Sequence, residues 1–183
     1  MTRAFVAIRP PAVVLDAVEA RTAGVAFGRG RATTREQWHI TVQFLGDAVD
    51  LDAVAGALSP PFAVDAGAAR LGGAATFGPP RRARILMVGL AEGRELAARL
   101  ATTVAARLEP LGVARADDDG SAFVPHLTLA RYREPSDLRR VCAAIGPEPV
   151  GPAWRVADVV LFESELRADG ARHTVRARFP LRE

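Results

Sequence analysis

The sequence predicts one domain of mixed strands and helices, built as two related halves facing a single cleft. Three observations lead there. First, the order strand, helix, histidine strand, helix, strand occurs twice in the 183 residues. Second, the strands that open the halves, at Ala4 and Arg84, lie 80 residues apart, and His39 and His126 lie 87 apart. Such near-constant spacing marks an internal duplication rather than a short solenoid repeat. Third, no segment between the halves is long enough to separate independent domains, so residues 1–183 read as one domain with two lobes.

The elements follow in order. Residues 4–8 form a short buried strand. Pro10 and Pro11 open a helix with Val14, Ala17 and Val18 on one face. A loop rich in glycine and arginine, GVAFGRGRATTREQ, leads to the first histidine strand, residues 38–45. Asp50 caps a helix carrying Leu51, Val54, Ala55 and Leu58, which Pro60 and Pro61 end. Residues 62–71 read as a strand and GGAATFGPPRRAR as a turn-rich link. The pattern restarts with a strand over 84–90 and a helix over 94–108, striped by Leu96, Leu100, Val104 and Leu108 and flanked by a Glu95–Arg99 pair. After the loop RADDDGSA comes the second histidine strand, residues 122–131. Ser136 is expected to cap a helix with Leu138, Val141, Cys142 and Ile145 on one face, closed by Gly146. Strands over 156–162 and 173–179 finish the chain, joined through a hairpin turn at Asp169-Gly170.

Composition is that of an ordinary globular protein, 49% hydrophobic and 25% charged, with a net charge of +3. A single cysteine, Cys142, rules out an intrachain disulfide and suits a reducing compartment. The start MTRAFVAIRP enters a strand at once and lacks a signal-peptide pattern, and no apolar run is long enough for a membrane helix. A cytoplasmic protein without membrane attachment is expected. All 24 basic residues are arginine. Without lysine there is no Walker-type phosphate loop and no Schiff base or nucleotidyl-lysine intermediate. Arginine favours planar, bidentate phosphate recognition.

The chemistry concentrates in two short stretches, WHITVQFLG from Trp38 and PHLTLAR from Pro125. Residues i and i+2 of a strand share a face, so His39 projects with Thr41 and His126 with Thr128. Ile40, Val42, Leu127 and Leu129 anchor the other face in the core. One such pair is commonplace on a half-buried strand; the duplicated pair is not. Imidazole titrates near neutrality, so one histidine can accept a proton while the other donates one. Threonine hydroxyls donate to anionic oxygens. Two proton carriers flanking a clamped anion suit in-line phosphoryl transfer. The rival is a metal centre, which would need a third and usually a fourth ligand; neither motif has a carboxylate or cysteine at a matching position.

HITV and HLTL resemble the paired His-x-Thr-x motifs of the 2H phosphoesterase superfamily. The wider frame of WHITVQFLG, PRRARILMVGL, FVPHLTLAR, LFESEL and RARFPL resembles its bacterial RNA 2′,3′-cyclic phosphodiesterase branch, the LigT-like or ThpR-like proteins also called 2′-5′ RNA ligases. The resemblance implies an α+β fold of two pseudo-symmetric lobes of antiparallel sheet, with outer helices around a central water-filled cleft. It makes His39 the proton donor to the departing 3′-oxygen and His126 the base that activates water, leaving a 2′-phosphomonoester. Thr41 and Thr128 hold the non-bridging oxygens. Arg131 matches the family's phosphate-contacting arginine, yet a regular strand points it away from His126, so only a bulge or the strand end could swing it back; a surface ion pair is the alternative. No metal or other cofactor is implied. The partners implied are RNA ends bearing 2′,3′-cyclic phosphate, tRNA fragments among them, or small cyclic nucleotides, bound by a monomer. ATP-independent ligation of a cyclic end to a 5′-hydroxyl is the same transesterification reversed.

Two positions depart from the family pattern. Gln43 stands where lysine is frequent, so a cleft charge is expected to be lost. His173 stands where tyrosine is frequent, and reads as a partly exposed strand residue rather than a third catalytic group. Lesser signals have plainer explanations. Asp117–Gly120 lack calcium-loop spacing and read as a solvated loop. Arg81, Arg82 and Arg84 suit either an RNA-tracking stretch or a solvated loop. Cys142 lies on an apolar helix stripe and reads as core. Two alternatives remain beside RNA-end hydrolysis: the same chemistry on a small cyclic phosphate or a 2′-5′ oligonucleotide, and an RNA-binding module without catalysis. Matched proton carriers count against the last.

Overall fold

Strands form where short runs of apolar and polar residues alternate. In the computed structural model, which describes residues 2–47, 49–113, 122–167 and 170–183, these segments form β1 (Thr2–Ile8), β2 (Arg31–Ala32), β3 (Ile40–Asp47), β4 (Gly67–Thr76), β5 (Ala83–Glu92), β6 (His126–Ser136), β7 (Val150–Val156), β8 (Asp158–Arg167) and β9 (Gly170–Pro180). The helices are α1 (Ala12–Thr22), α2 (Leu51–Leu58), α3 (Arg94–Leu108) and α4 (Arg139–Ile145). None is long and apolar enough to cross a membrane.

The nine strands make one sheet in the order β7-β4-β5-β6-β3-β1-β8-β9, with β2 on the flank of β6. Every strand pair is antiparallel. The order divides at the β6–β3 junction into two lobes of four strands, each led by a histidine segment. The lobes are not the two halves of the sequence. β4, from the first half, pairs with β5 of the second, and β8 returns from the second half to pair with β1. Helices cross over too: α1 packs on β7, α3 on β3, and α2 on α3.

The main core lies between sheet and helices. The α3 stripe of Leu96, Leu100, Val104 and Leu108 is buried there with Ile40, Val42, Leu127 and Leu129. Cys142 packs against this core. A separate small cluster, Phe5, Ala7, Val160 and Phe162, is buried apart from it. Asp50 caps α2 as expected, its Oδ1 accepting from the Asp52 and Ala53 amides at 3.0 Å.

Four expectations need correction. The strand expected over 62–71 runs instead over Gly67–Thr76, so GGAAT is strand rather than link. Gly73 serves close approach: a Cβ there would run into the Pro147 carbonyl. Ser136 does not cap α4. It ends β6 with its hydroxyl on the Glu134 carbonyl, and Asp137 Oδ1 accepts from the Arg139 amide at 3.2 Å. The single strand over 156–162 breaks at Ala157 into β7 and β8. The glycine-rich loop holds β2 and a single 3₁₀ turn, Arg35–Gln37. Asp117–Gly120 and Asp169 lie outside the described residues.

Candidate active site

The two histidine motifs meet where the lobes join. Ile40 pairs with Leu127; carried one residue each way, this antiparallel register sets His39 opposite Thr128 and Thr41 opposite His126. Side chains alternate in direction, so the four polar groups share the face opposite Ile40 and Leu127. All four line one cavity of about 710 Å³.

Arg131 joins them through a bulge. Met87 pairs with Thr128 and Leu86 with Ala130, leaving Leu129 without a partner. One extra residue reverses the parity of the remainder of the strand. Leu129 and Ala130 are therefore buried in succession, and Arg131 returns to the cavity. Thr33 pins the bulge: its amide donates to the Leu129 carbonyl at 2.9 Å and its hydroxyl to the Thr128 carbonyl at 2.6 Å. Trp38 Nε1 donates in turn to the Thr33 hydroxyl at 3.0 Å.

The same device occurs in β3, where Val42 is skipped between the pairs Val6–Gln43 and Ala7–Thr41. Phe44 is thereby brought to the cavity. Gln43, expected in the cleft, is turned out of it and only 2% exposed.

Each catalytic candidate is oriented by its own backbone. His126 Nδ1 lies 2.8 Å from the carbonyl of Val124, two residues earlier, and the His39 ring bonds the carbonyl of Gln37, also two residues earlier. A carbonyl accepts only, so the His126 Nδ1 carries the proton and Nε2 is free to accept another. Burial is the main cause pulling both rings below the usual histidine pKa. His39 falls to about 3, through burial first and the nearby His173 second, against the opposing pull of the Gln37 carbonyl. Its ring stacks on Phe5 at 4.4 Å and meets His173 edge-on at 5.2 Å. Phe77 meets His126 edge-on at 4.7 Å.

His173 is a partly exposed strand residue, as expected, and it also lines the same cavity. Arg131 makes no hydrogen bond or ion pair among the described residues. The sole carboxylate in the lining, Asp47, is engaged by Arg3 at 3.0 Å. Among the described residues, no three histidine, cysteine or acidic side chains cluster as a metal-ligand set. Two uncharged imidazoles, two hydroxyls and an uncompensated guanidinium make a cavity suited to an anion with protons to exchange.

Sequence reasoning missed Phe5, Phe44, Ser164 and Leu166, which also line the cavity. Phe5, Ser164 and Leu166 carried no chemical signal, and Phe44 is hidden by the β3 bulges.

The sequence pattern of the 2′-5′ RNA ligase superfamily matches residues 10–167. No curated protein matches the chain significantly. Among solved structures, protein TT0787 of Thermus thermophilus is 27% identical, with a TM-score of 0.70 over 98% of each chain. E. coli LigT complexed with 3′-AMP is 20% identical, with a TM-score of 0.74 over 100% of this chain and 99% of that one. A phosphoesterase at 22% identity has a TM-score of 0.76 with the same coverage.

Proposed function

Because the chain belongs to the 2′-5′ RNA ligase superfamily, the 2H phosphoesterases, we propose that it hydrolyses 2′,3′-cyclic phosphate ends of RNA to 2′-phosphomonoesters without a metal. The observation that carries this is the cavity itself, where two histidines, two threonines and an unpaired arginine converge with no free carboxylate among the described residues.

The cyclic phosphate replaces the missing counter-charge of Arg131, and Thr41 and Thr128 donate to its non-bridging oxygens. His126 Nε2, fixed as acceptor by its Nδ1 bond to Val124, takes a proton from water as the water oxygen bonds to phosphorus. The bond from phosphorus to the 3′-oxygen breaks on the opposite side, and His39 gives that oxygen its proton. Solvent returns His39 to its protonated form and His126 to its neutral form. His39 is hard to charge in the empty cleft, so it acquires its proton with the anionic substrate, whose charge favours the imidazolium. A 5′-hydroxyl replacing the water yields a 2′-5′ linkage by the same steps, without ATP.

The test is an oligonucleotide ending in 2′,3′-cyclic phosphate, incubated with the protein in EDTA, with the product phosphate mapped. A 2′-phosphate formed at undiminished rate is expected. Activity lost in EDTA and restored by zinc or manganese contradicts the mechanism. Binding without turnover points to an RNA-binding module.

A further inference from the structure

Building on that reaction, we infer that a second cavity, at the far end of β1 and β8, is a phosphate site. There Arg9 and Arg155 hold a backbone phosphate of the RNA whose cyclic end lies between His39 and His126.

The cavity holds about 550 Å³ and opens where β1 runs into α1 and β7 into β8. Four arginines line it, Arg9, Arg35, Arg155 and Arg178, against one carboxylate, Asp158. Two of the four are engaged. Arg178 bonds Asp158 at 3.1 Å, and Arg35 bonds Asp16 at 2.6 Å and Glu19 at 3.3 Å. Arg9 and Arg155, both exposed, make no hydrogen bond or ion pair among the described residues. Glu36 lies close enough to feel Arg9, but its carboxylate bonds the Thr34 side chain and its own amide.

Trp154, also in the lining, is 8% exposed, and its Nε1 is buried without a hydrogen-bond partner. An indole N–H and a guanidinium only donate. Arg9, Trp154 and Arg155 therefore lack the same thing, an acceptor, and two of the three carry positive charge. A phosphate supplies several acceptor oxygens and the opposite charge. A neutral ligand leaves the charges unanswered, and a cation adds to them.

The strands tie this cavity to the catalytic one. Asp158, Val160, Phe162 and Ser164 alternate along β8 and share one face. Asp158 lines the second cavity and Ser164 the first, with the buried cluster that holds Val160 and Phe162 between them. On β9, Arg178 stands opposite Val160 and lines the second cavity, while His173 stands opposite Ser164 and lines the first. The 3₁₀ turn touches both cavities, with Arg35 in the second and Gln37 in the first. The six residues of strand from Asp158 to Ser164 span about 20 Å. A stacked strand of nucleic acid climbs about 3.4 Å per nucleotide, so about six nucleotides cover that distance. An RNA with its cyclic end in one cavity thus brings an upstream phosphate to the other, and a mononucleotide does not.

The experiment varies the length of the substrate. Turnover is measured on a nucleoside 2′,3′-cyclic phosphate and on a single-stranded RNA of about ten nucleotides with the same end, long enough for that span. Binding of the same RNA ending in 2′-phosphate is measured by fluorescence anisotropy over a range of salt. The wild type should show a higher kcat/KM on the RNA than on the mononucleotide. Arg9→Ala combined with Arg155→Ala should weaken RNA binding and lower kcat/KM on RNA about 10- to 150-fold, and leave turnover of the mononucleotide unchanged. The slope of log affinity against log salt should become shallower by about 0.7 for the one phosphate released. No gain with length in the wild type, equal losses on both substrates, or an unchanged salt slope overturns the site. Inorganic phosphate bound in an Arg155-dependent manner by a protein indifferent to RNA length gives the cavity to a free anion and overturns the RNA assignment. RNA binding that needs both arginines, without any turnover, keeps the site and overturns the proposed reaction; turnover indifferent to length and to both arginines does the reverse.

Discussion

His39 is the harder of the two imidazoles to protonate, and its environment sets two measurable consequences. As a donor to the 3′-oxygen it should matter in proportion to the basicity of the leaving group. His39→Ala should slow hydrolysis of a nucleoside 2′,3′-cyclic phosphate about 10²–10⁴-fold. A nitrophenyl phosphodiester, whose leaving group departs as an anion, should lose far less, while His126→Ala should impair both. Equal losses on both substrates would contradict the assignment of donor and base. The second consequence concerns stability. The folded protein protonates His39 only near pH 3, against 6.5 for an unperturbed histidine. Between those values the unfolded chain binds more protons, so stability falls as pH drops through that window. Melting temperatures of the ligand-free protein should decline from pH 6.5 towards pH 4, less steeply in His39→Gln; parallel slopes would exclude His39 as the source. His39, Thr41, His126 and Thr128 were legible in the sequence because a two-residue period survives translation into structure. Phe44 and Gln43 were not, because each lies past a residue that the ladder skips; Arg131 was named through the family resemblance, on condition of the bulge that the ladder shows at Leu129.

At the level of elements, the β6 bulge is held from outside the strand. Thr33 satisfies the carbonyls that the interrupted ladder leaves open. Thr33→Val should cost about 1 kcal/mol in stability and lower kcat/KM by loosening Arg131. If the bulge is the route, the same change made in Arg131→Ala should bring little further loss of activity. Full additivity of the two losses would place the effect of Thr33 elsewhere. Helices were read well from the chain, since α3 buries the leucine and valine stripe that its period demanded. The strands around glycine were not. Gly73 lies inside β4 where the Pro147 backbone approaches closely, and glycine serves that purpose as readily as a turn. β7 was missed for a related reason, as Gly151 and Pro152 interrupt its alternation.

Across the whole molecule, the sheet order was not legible, because nothing in a local pattern states which strands pair. β1 finds one partner in β8, β4 one in β5, and β3 one in β6. A chain cut before Ala83 removes all three pairings at once. Residues 1–82 alone should show no cooperative thermal transition by circular dichroism, and co-expression with residues 83–183 should restore one. A sharp melt from the isolated first half would contradict this. The crossing also sets a timetable for synthesis. β1 is made among the first residues, but β8 begins only at Asp158. At about 5–20 residues per second, one edge of β1, with Phe5 and Ala7, waits on the order of ten seconds for its cover. The wall behind His39, with Phe162, Ser164 and His173, is the last part to be made. An interrupted translation product therefore carries His39 and His126 in a cavity that still lacks one of its walls.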